Sequence, residues 1–495
     1  MVWLFLSILG VTLYFIVQYS VVRVTRAPWW QLWLVLMIPA FVIAGWSLTH
    51  SSIEAMPTSL LVGAFLISTV LYVVLIGRNP RTLPASQDGG QAMGDAKPEA
   101  STSPLNKEEQ TQLQNCFPWS VYYLKQIDLR PQAVICRGQL RTEAEAAYQT
   151  IRQNVQAQFG DRFLVLFQSG AGEQPYFAIV ANPQASTPSA QTKPSQKPLT
   201  RPGLALLLLG LTILTTTLAG ISLANPSFQS ESLRQDPQLL LTGLPYALSL
   251  MFILGVHELG HYCTARFYKI LTTLPYFIPV PFSVGTFGAY IQMRTPAPNR
   301  KALFDVGIAG PLAGFIVTLP ILIWGLMNSE LTALPEQAGA LSPSAFNPRF
   351  SILFAALSRL TFGAALTDTL AINLHPVAIA GWLGLIVTGL NLMPFGQLDG
   401  GHIVHAMYGQ RVGAVVSQVC RVLVLLLSFV QPFLLFWGIL LLFMPAVDEP
   451  ALNDVSELNS YRDAAGLLAL GLLLLIVLPL PSGLESFFFT IQPAP

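Results

Sequence analysis

The chain has 495 residues, of which 53% are hydrophobic and only 10% charged, with a formal net charge of +1. Ordinary soluble domains are roughly a quarter charged, so a wholly water-soluble chain is excluded, and no basic run or aromatic-interleaved patch points to a nucleic-acid partner. Cys116, Cys136, Cys263 and Cys420 show no paired spacing and predict neither a disulfide framework nor a cysteine-rich metal site.

A hydrocarbon core takes about 20 consecutive apolar residues per helical crossing. Such runs recur at Val2–Val22, Trp29–Leu48, Ser59–Gly77, Leu204–Leu223, Leu239–Tyr262, Val306–Gly325, Pro376–Leu392 and Gly466–Leu480. Val422–Met444 belongs to an apolar region that begins near Val412 and is too long for one crossing. These runs predict about eight to ten spans. The first run has no basic n-region and continues into "VVRVTRAPWW", so it reads as a span and not a signal peptide.

Three spans fill residues 1–77, and a polar Pro/Gly/Ser/Ala-rich linker follows over 78–106. Residues 107–183 read as a small soluble α/β unit. "KEEQTQLQNCF" predicts a helix and "QAVICRGQL" a strand. "TEAEAAYQTIRQNVQAQFG" predicts an amphipathic helix with Ala146, Tyr148, Ile151 and Val155 on its apolar face and Gly160 as its stop. "RFLVLFQSG" and "YFAIVANP" predict two short strands. A second linker over 184–202 leads into a membrane-embedded region, 203–495. The fold class predicted is therefore a polytopic α-helical membrane protein with a small inserted soluble α/β domain. Lys and Arg cluster after the first and third spans, before the fourth, and around the end of the fifth. With the N-terminus outside, all fall on one side, which puts the soluble unit in the cytoplasm or its organellar equivalent.

From Leu239 to Val256 there is no charge; then comes "HELGH", with His257, Glu258 and His261. On a helix, positions i and i+4 share a face, so both imidazoles can address one ion. Zinc takes imidazole nitrogen at about 2.0–2.1 Å, and a catalytic site uses three protein ligands plus water. Glu258 stands where a general base for that water would stand. Five residues with three fixed also arise by chance. In an apolar run that alternative weakens, because charge at membrane depth is costly and marks function.

Two histidines leave one protein ligand to find. Near the end of a later apolar run stands "GLNLMPFGQLDGGH", residues 389–402, whose only acidic residue is Asp399. Pro394, Gly396, Gly400 and Gly401 would interrupt the helix, and broken backbone is tolerated at membrane depth where it lines a cavity. The alternative is a helix end meeting water, with Asp399 solvated. The shared side of the two motifs favours the cavity.

HELGH followed by "NLMPFGQLDGG" resembles the site-2 proteases, intramembrane zinc metalloproteases whose pattern is HExxH followed by N-x-x-P-x-x-x-L-D-G-G. The likeness covers roughly residues 239–445, including "GTFGAYIQM" (285–293) and "GPLAG" (310–314), and substitutes no motif residue named here. It implies that His257, His261 and Asp399 bind Zn2+, that Glu258 activates a zinc-bound water, and that Asn391 is a polar group near the substrate or oxyanion. It implies a zinc metalloendopeptidase acting on transmembrane protein substrates, in contact with membrane lipid. "CRGQLR" (136–141) and "FGDRF" (159–163) resemble the GNLR-bearing region of the plant EGY (ethylene-dependent gravitropism-deficient and yellow-green) subfamily, with Gln139 in place of the motif's Asn. With no transit peptide in evidence, the expected location is a cyanobacterial plasma or thylakoid membrane, or a chloroplast membrane.

His375 stands at the far end of its span from Asn391, roughly 24 Å away at 1.5 Å per residue, and reads as structural. His402 and His405 follow the DGG turn and read as solvated tail residues, with spare metal ligands as the alternative. Gly310 and Gly314 form a small-xxx-small pair for helix packing. Arg137 and Arg141 read equally as a partner site or a solvated surface. The soluble unit contains no histidine, and between its linkers it is expected to control substrate entry and supply no catalytic group. A transporter would predict paired, similar halves, which are absent here. A silent scaffold would have no use for Glu258.

Overall fold

Charge-free runs fold as helices because a helix satisfies each backbone N–H and C=O within one segment. The computed structural model describes residues 28–49, isolated positions between 60 and 75, 105–170, 174–182, 201–225, 236–280, 284–334, 343–427, isolated positions between 434 and 441, and 444–490. The spans expected at Val2–Val22 and Ser59–Gly77, the linkers 78–106 and 184–202, and much of 428–443 lie wholly or mostly outside these residues. Two compact units are present, Met1–Glu99 with Val424–Phe443, and Ala100–Leu423 with Met444–Pro495.

In the first unit, α1 (Trp29–Leu36) and α2 (Ile38–Thr49) meet at Met37, with Leu32, Met37, Ala40 and Ala44 buried. The Ser68 hydroxyl donates to the Val35 carbonyl of α1, 33 residues earlier in the chain, at 2.8 Å.

The second unit opens with the soluble α/β domain. Its first helix, α3 (Lys107–Asn115), starts in a capping box between Asn106 and Glu109. Strands β1 (Tyr122–Arg130), β2 (Ala133–Leu140), β3 (Phe163–Ser169) and β4 (Pro175–Ala181) pair antiparallel in the order β1-β2-β4-β3, with α4 (Ala144–Phe159) between β2 and β3 in sequence. The buried face of α4 carries Ala147, Tyr148, Ile151 and Val155. Ala146, expected there, is exposed, one position off the stripe. Gly160 caps α4 at φ 61°, a left-handed conformation that favours glycine. Phe167 and Phe177 stack at 4.1 Å in the core, and the Tyr122 hydroxyl donates to the Pro175 carbonyl at 2.9 Å.

The membrane region follows with α5 (Pro202–Ala224), α6 (Leu239–Phe267), the hairpin β5 (Tyr276–Pro279) and β6 (Thr286–Tyr290), α7 (Arg300–Met327), β7 (Glu330–Ala333), α8 (Ile352–Phe362), β8 (Leu370–Asn373), α9 (Pro376–Asn391), α10 (Asp399–Tyr408), α11 (Gln410–Leu427) and α12 (Ser460–Val477). Among the described residues, α5, α6, α7, α11 and α12 are long and apolar enough to cross a membrane, and the bent α1–α2 pair makes six if it counts as one span. The protein is a polytopic α-helical membrane protein. Helix α6 lies against α5, α7 and α9. Arg462 of α12 donates through Nε and Nη2 to Asp305 of α7 at 2.8 and 2.7 Å, and the Tyr268 hydroxyl, just past α6, donates to the same carboxylate. This one ion pair fixes the ends of three helices. His375 caps α9, its Nδ1 accepting from the Val377 N–H at 3.3 Å, in line with the structural role expected of it.

The soluble domain docks through backbone. Residues 452–454 run along the outer edge of β3: the Phe167 N–H donates to the Leu452 carbonyl at 2.7 Å and the Asp454 N–H to the Phe167 carbonyl at 2.9 Å. On its other side the same segment meets the approach to α7, where the Leu452 N–H donates to the Ala297 carbonyl and the Asn453 N–H to the Pro298 carbonyl, at 2.9 and 3.1 Å.

Candidate metal centre

Helix α6 carries its apolar run to His257 and then places three polar side chains on its buried face. His257, Glu258 and His261 are only 3–7% exposed. Their burial depends on glycine in the facing helix. A Cβ at Gly310 would stand 2.0 Å from His261 Nε2, and one at Gly314 would stand 3.1 Å from His257 Cβ and Nδ1. The small-xxx-small pair therefore packs helices as expected, and the surface it accommodates is the two imidazole rings.

His261 Nδ1 lies 2.7 Å from the Val306 carbonyl. A carbonyl only accepts, so Nδ1 carries the proton and Nε2 is left with its lone pair. That second hydrogen bond is what fixes the tautomer and ring orientation of a metal-ligating histidine.

The third group arrives on α10. Helix α9 ends at Asn391, and the chain turns through Pro394 and Gly396, whose φ is +46° and whose N–H donates to the Ser417 hydroxyl at 3.0 Å. Gly400 and Gly401 then pass so close to the preceding turn that a Cβ would stand 2.0 Å from the Leu392 carbonyl oxygen and 2.2 Å from that of Gly396. Only glycine allows α10 to start there, and that start sets Asp399 facing α6.

His257, His261 and Asp399 form a group whose ligand atoms all lie within 4.8 Å of one another. The two Nε2 atoms are 3.2 Å apart, and Asp399 Oδ2 lies 3.6 Å from His257 Nε2 and 3.2 Å from His261 Nε2. Ligand atoms about 2.0–2.1 Å from a tetrahedral ion stand about 3.3–3.4 Å apart. The triangle thus has the size that zinc demands, and two imidazoles with a carboxylate are a donor set that zinc accepts. Glu258 and Ile291, just beyond β6, both line the cavity at this group. The Asn391 side-chain amide lies 3.0 Å from His257 Nε2, which brings it to the same cluster.

The group opens into a cavity of about 740 Å³. The end of β6 and the loop after it, residues 289–297, form one wall, residues 448–450 another, and Leu166 of the soluble domain contributes from β3. His402 and His405 are not solvated. His402 Nδ1 lies 2.8 Å from Asp448 Oδ2; His405, 1% exposed, lies 2.7 Å from Asp448 through Nδ1 and 2.9 Å from Asp454 through Nε2. The expectation of tail histidines in water is corrected: they turn inward because two buried carboxylates from the segment before α12 meet them. The i, i+3 spacing puts the two histidines on one face of α10, but their carboxylate partners lie more than forty residues further on.

Residues 245–435 match peptidase family M50, and residues 111–188 match the EGY3 middle domain. A protein of Oryza sativa subsp. japonica named probable zinc metalloprotease EGY1, chloroplastic, is 30% identical over 371 residues, covering 70% of this chain and 63% of the relative. The Arabidopsis thaliana protein named probable zinc metalloprotease EGY2, chloroplastic, is 28% identical over 371 residues, covering 74% of this chain and 63% of the relative. Arabidopsis thaliana EGY1 is 36% identical over 239 residues, covering 48% and 43%. The chain thus spans less than two thirds of the length of these relatives. No solved structure matches.

Proposed function

Because this chain belongs to peptidase family M50 and carries an EGY3-type middle domain, we propose that it is an intramembrane zinc metalloprotease of the site-2 protease kind, cutting peptide bonds in or near the transmembrane segments of membrane-bound substrates. The observation that carries this reading is the triangle of His257 Nε2, His261 Nε2 and Asp399 Oδ2, with Glu258 beside it at the cavity. In the proposed division, 1–77 is an N-terminal three-span region, 107–183 a soluble domain between linkers 78–106 and 184–202, and 203–495 the protease domain. The relatives' names speak of the chloroplast, which supports a photosynthetic membrane: cyanobacterial plasma or thylakoid, or chloroplast.

In the proposed mechanism His257, His261 and Asp399 hold the ion. Zinc bound there supplies a Lewis acid for the scissile carbonyl and makes water more acidic. Val306 keeps the proton of His261 on Nδ1, so Nε2 stays available. Glu258 takes the proton of the attacking water and passes it to the leaving amine. Asn391 offers an amide to the reacting groups. A transmembrane helix must unwind before its bonds can be reached, and the end of strand β6, which brings Ala289 and Tyr290 to the cavity wall, suits a substrate in that form. The test measures zinc content and cleavage of a model transmembrane substrate in wild type and Glu258→Gln. Equal zinc with cleavage lost only in the variant is the expected result; equal cleavage in both would refute the role of Glu258, and no zinc in the wild type would refute the metal reading.

A further inference from the structure

Residues 448–456 join three parts of the protein that the proposed mechanism leaves separate. Their outer side completes the soluble domain: Leu452 and Asp454 hydrogen-bond to Phe167, the Gln168 side chain donates to the Ala451 carbonyl at 2.9 Å, and Asn453 Nδ2 donates to Glu145 Oε2 at 3.0 Å. Leu452 and Val455 pack against the domain's hydrophobic core. Their inner side grips α10: Asp448 meets His402 and His405, and Asp454 meets His405. Arg300, at the start of α7, donates from Nε to the Ala406 carbonyl at 2.7 Å and closes the same end of α10.

These contacts are buried. Asn453 is 0% exposed, and Arg300, Asp448 and Asp454 are each under 9%. Both nitrogens of His405 face carboxylate oxygen, and only an imidazolium donates to both. Buried charges are kept where they are paired, and removing one partner is far more costly than at a surface. Six residues upstream of His405 on the same short helix stands Asp399, about 9 Å along the axis at 1.5 Å per residue.

We propose that residues 448–456 are a coupling strap, through which the docked soluble domain holds α10 in register and so positions Asp399 for the metal. His405, which stands behind the cavity lining, is a positioning residue in this scheme, and His402, which also lines the cavity, shares its Asp448 partner. The inference rests on the reading of Asp399 as a metal ligand. It differs from control of substrate entry, because it places the effect of the soluble domain on the metal itself.

The test uses the full chain in detergent and two variants that leave α10 and the metal group untouched, Asn453→Ala and Gln168→Ala. Asp128→Asn, on the β1 edge and paired with Arg137, is the control. Amide hydrogen exchange is read over β3 and α10, and cobalt(II), a spectroscopic stand-in for zinc, is titrated by its visible absorption. With a working strap, Asn453→Ala exchanges faster in β3 and α10 together. It also shifts the cobalt spectrum and weakens cobalt binding about tenfold, the low end of what partners behind the ligands cost. Gln168→Ala does the same to a smaller extent, and it decides the matter if Asn453→Ala does not fold. Faster exchange confined to β3 and 451–455 overturns the proposal, as does coupled exchange with cobalt affinity and spectrum unchanged. If the wild-type chain binds no cobalt, the metal reading fails separately, while the exchange data still report whether β3 and α10 are coupled.

Discussion

Replacing Gly310 with alanine adds one methyl group where the fold has no room for it. That Cβ would stand 2.0 Å from His261 Nε2 and 2.4 and 2.5 Å from the ring carbons Cδ2 and Cε1. Carbon and nitrogen rest about 3.5 Å apart at contact, so ring and helix must separate by about 1–1.5 Å. A metal site tolerates ligand distances within about 0.2 Å, several times less than that shift. His261 would therefore leave the group, and the loss in zinc affinity should exceed the roughly 10–100-fold that outer partners cost. Gly314→Ala is the internal comparison: its nearest atoms are His257 Cβ and Nδ1 at 3.1 Å, which ask for a shift of a few tenths of an ångström. Gly471→Ala, with nothing within 4 Å, should leave binding unchanged. Zinc affinity by competition with a chromogenic chelator should fall in the order Gly471→Ala, Gly314→Ala, Gly310→Ala. Wild-type affinity in a folded Gly310→Ala protein would refute the packing argument, and with it the placement of His261 at the ion.

Asp399→Ala should lose most of its zinc, since it removes one of three donors; full occupancy on metal analysis would mean another group is the third ligand. Glu258→Gln should hold zinc as wild type does and lose cleavage by about 10²–10⁴-fold, the usual contribution of a positioned acid–base group, read on a model transmembrane substrate. Phe177→Ala, in the aromatic core of the soluble domain, should destabilise that domain by about 3–5 kcal/mol, measured as accelerated exchange of its amides. Burial lifts the Cys136 thiol from 9.0 to about 12. Its contribution to stability is complete below pH 9, where the unfolded thiol is also protonated, and is lost as pH rises towards 12. Alkylation at pH 8 should therefore leave Cys136 unmodified in the folded protein and label it once the soluble domain is denatured.

What could be read from the sequence depended on how local its cause is. The α4 helix, its glycine stop and the strands β2, β3 and β4 follow from periodicity and turn residues within a few positions. β1 escaped notice because Lys125, Gln126, Asp128 and Arg130 interrupt its alternation, as suits an edge strand with one face in water. HELGH and Asp399 stood out because charge in an apolar run requires an explanation. The surroundings of His402 and His405 could not be read the same way: their partner Asp448 lies 46 and 43 residues further on, and no local pattern announces that meeting. The packing of imidazole rings on Gly310 and Gly314 was hidden for the same reason, since it belongs to the crossing of two helices.

The edge of β3 also sets an order of events during synthesis. Gln168 and Ala451, which hydrogen-bond across the docking seam, are 283 residues apart. At about 5–20 residues per second, β3 emerges from the ribosome roughly 15–60 s before the segment that covers it. Through that interval a strand with unpaired N–H and C=O groups is available to any other extended chain, and only after α11 has been made can its own partner reach it. The soluble domain is thus among the first parts of the second unit to be translated and among the last to be finished. A nascent chain stalled before residue 451 would carry an unfinished sheet edge by which folding factors could recognise it.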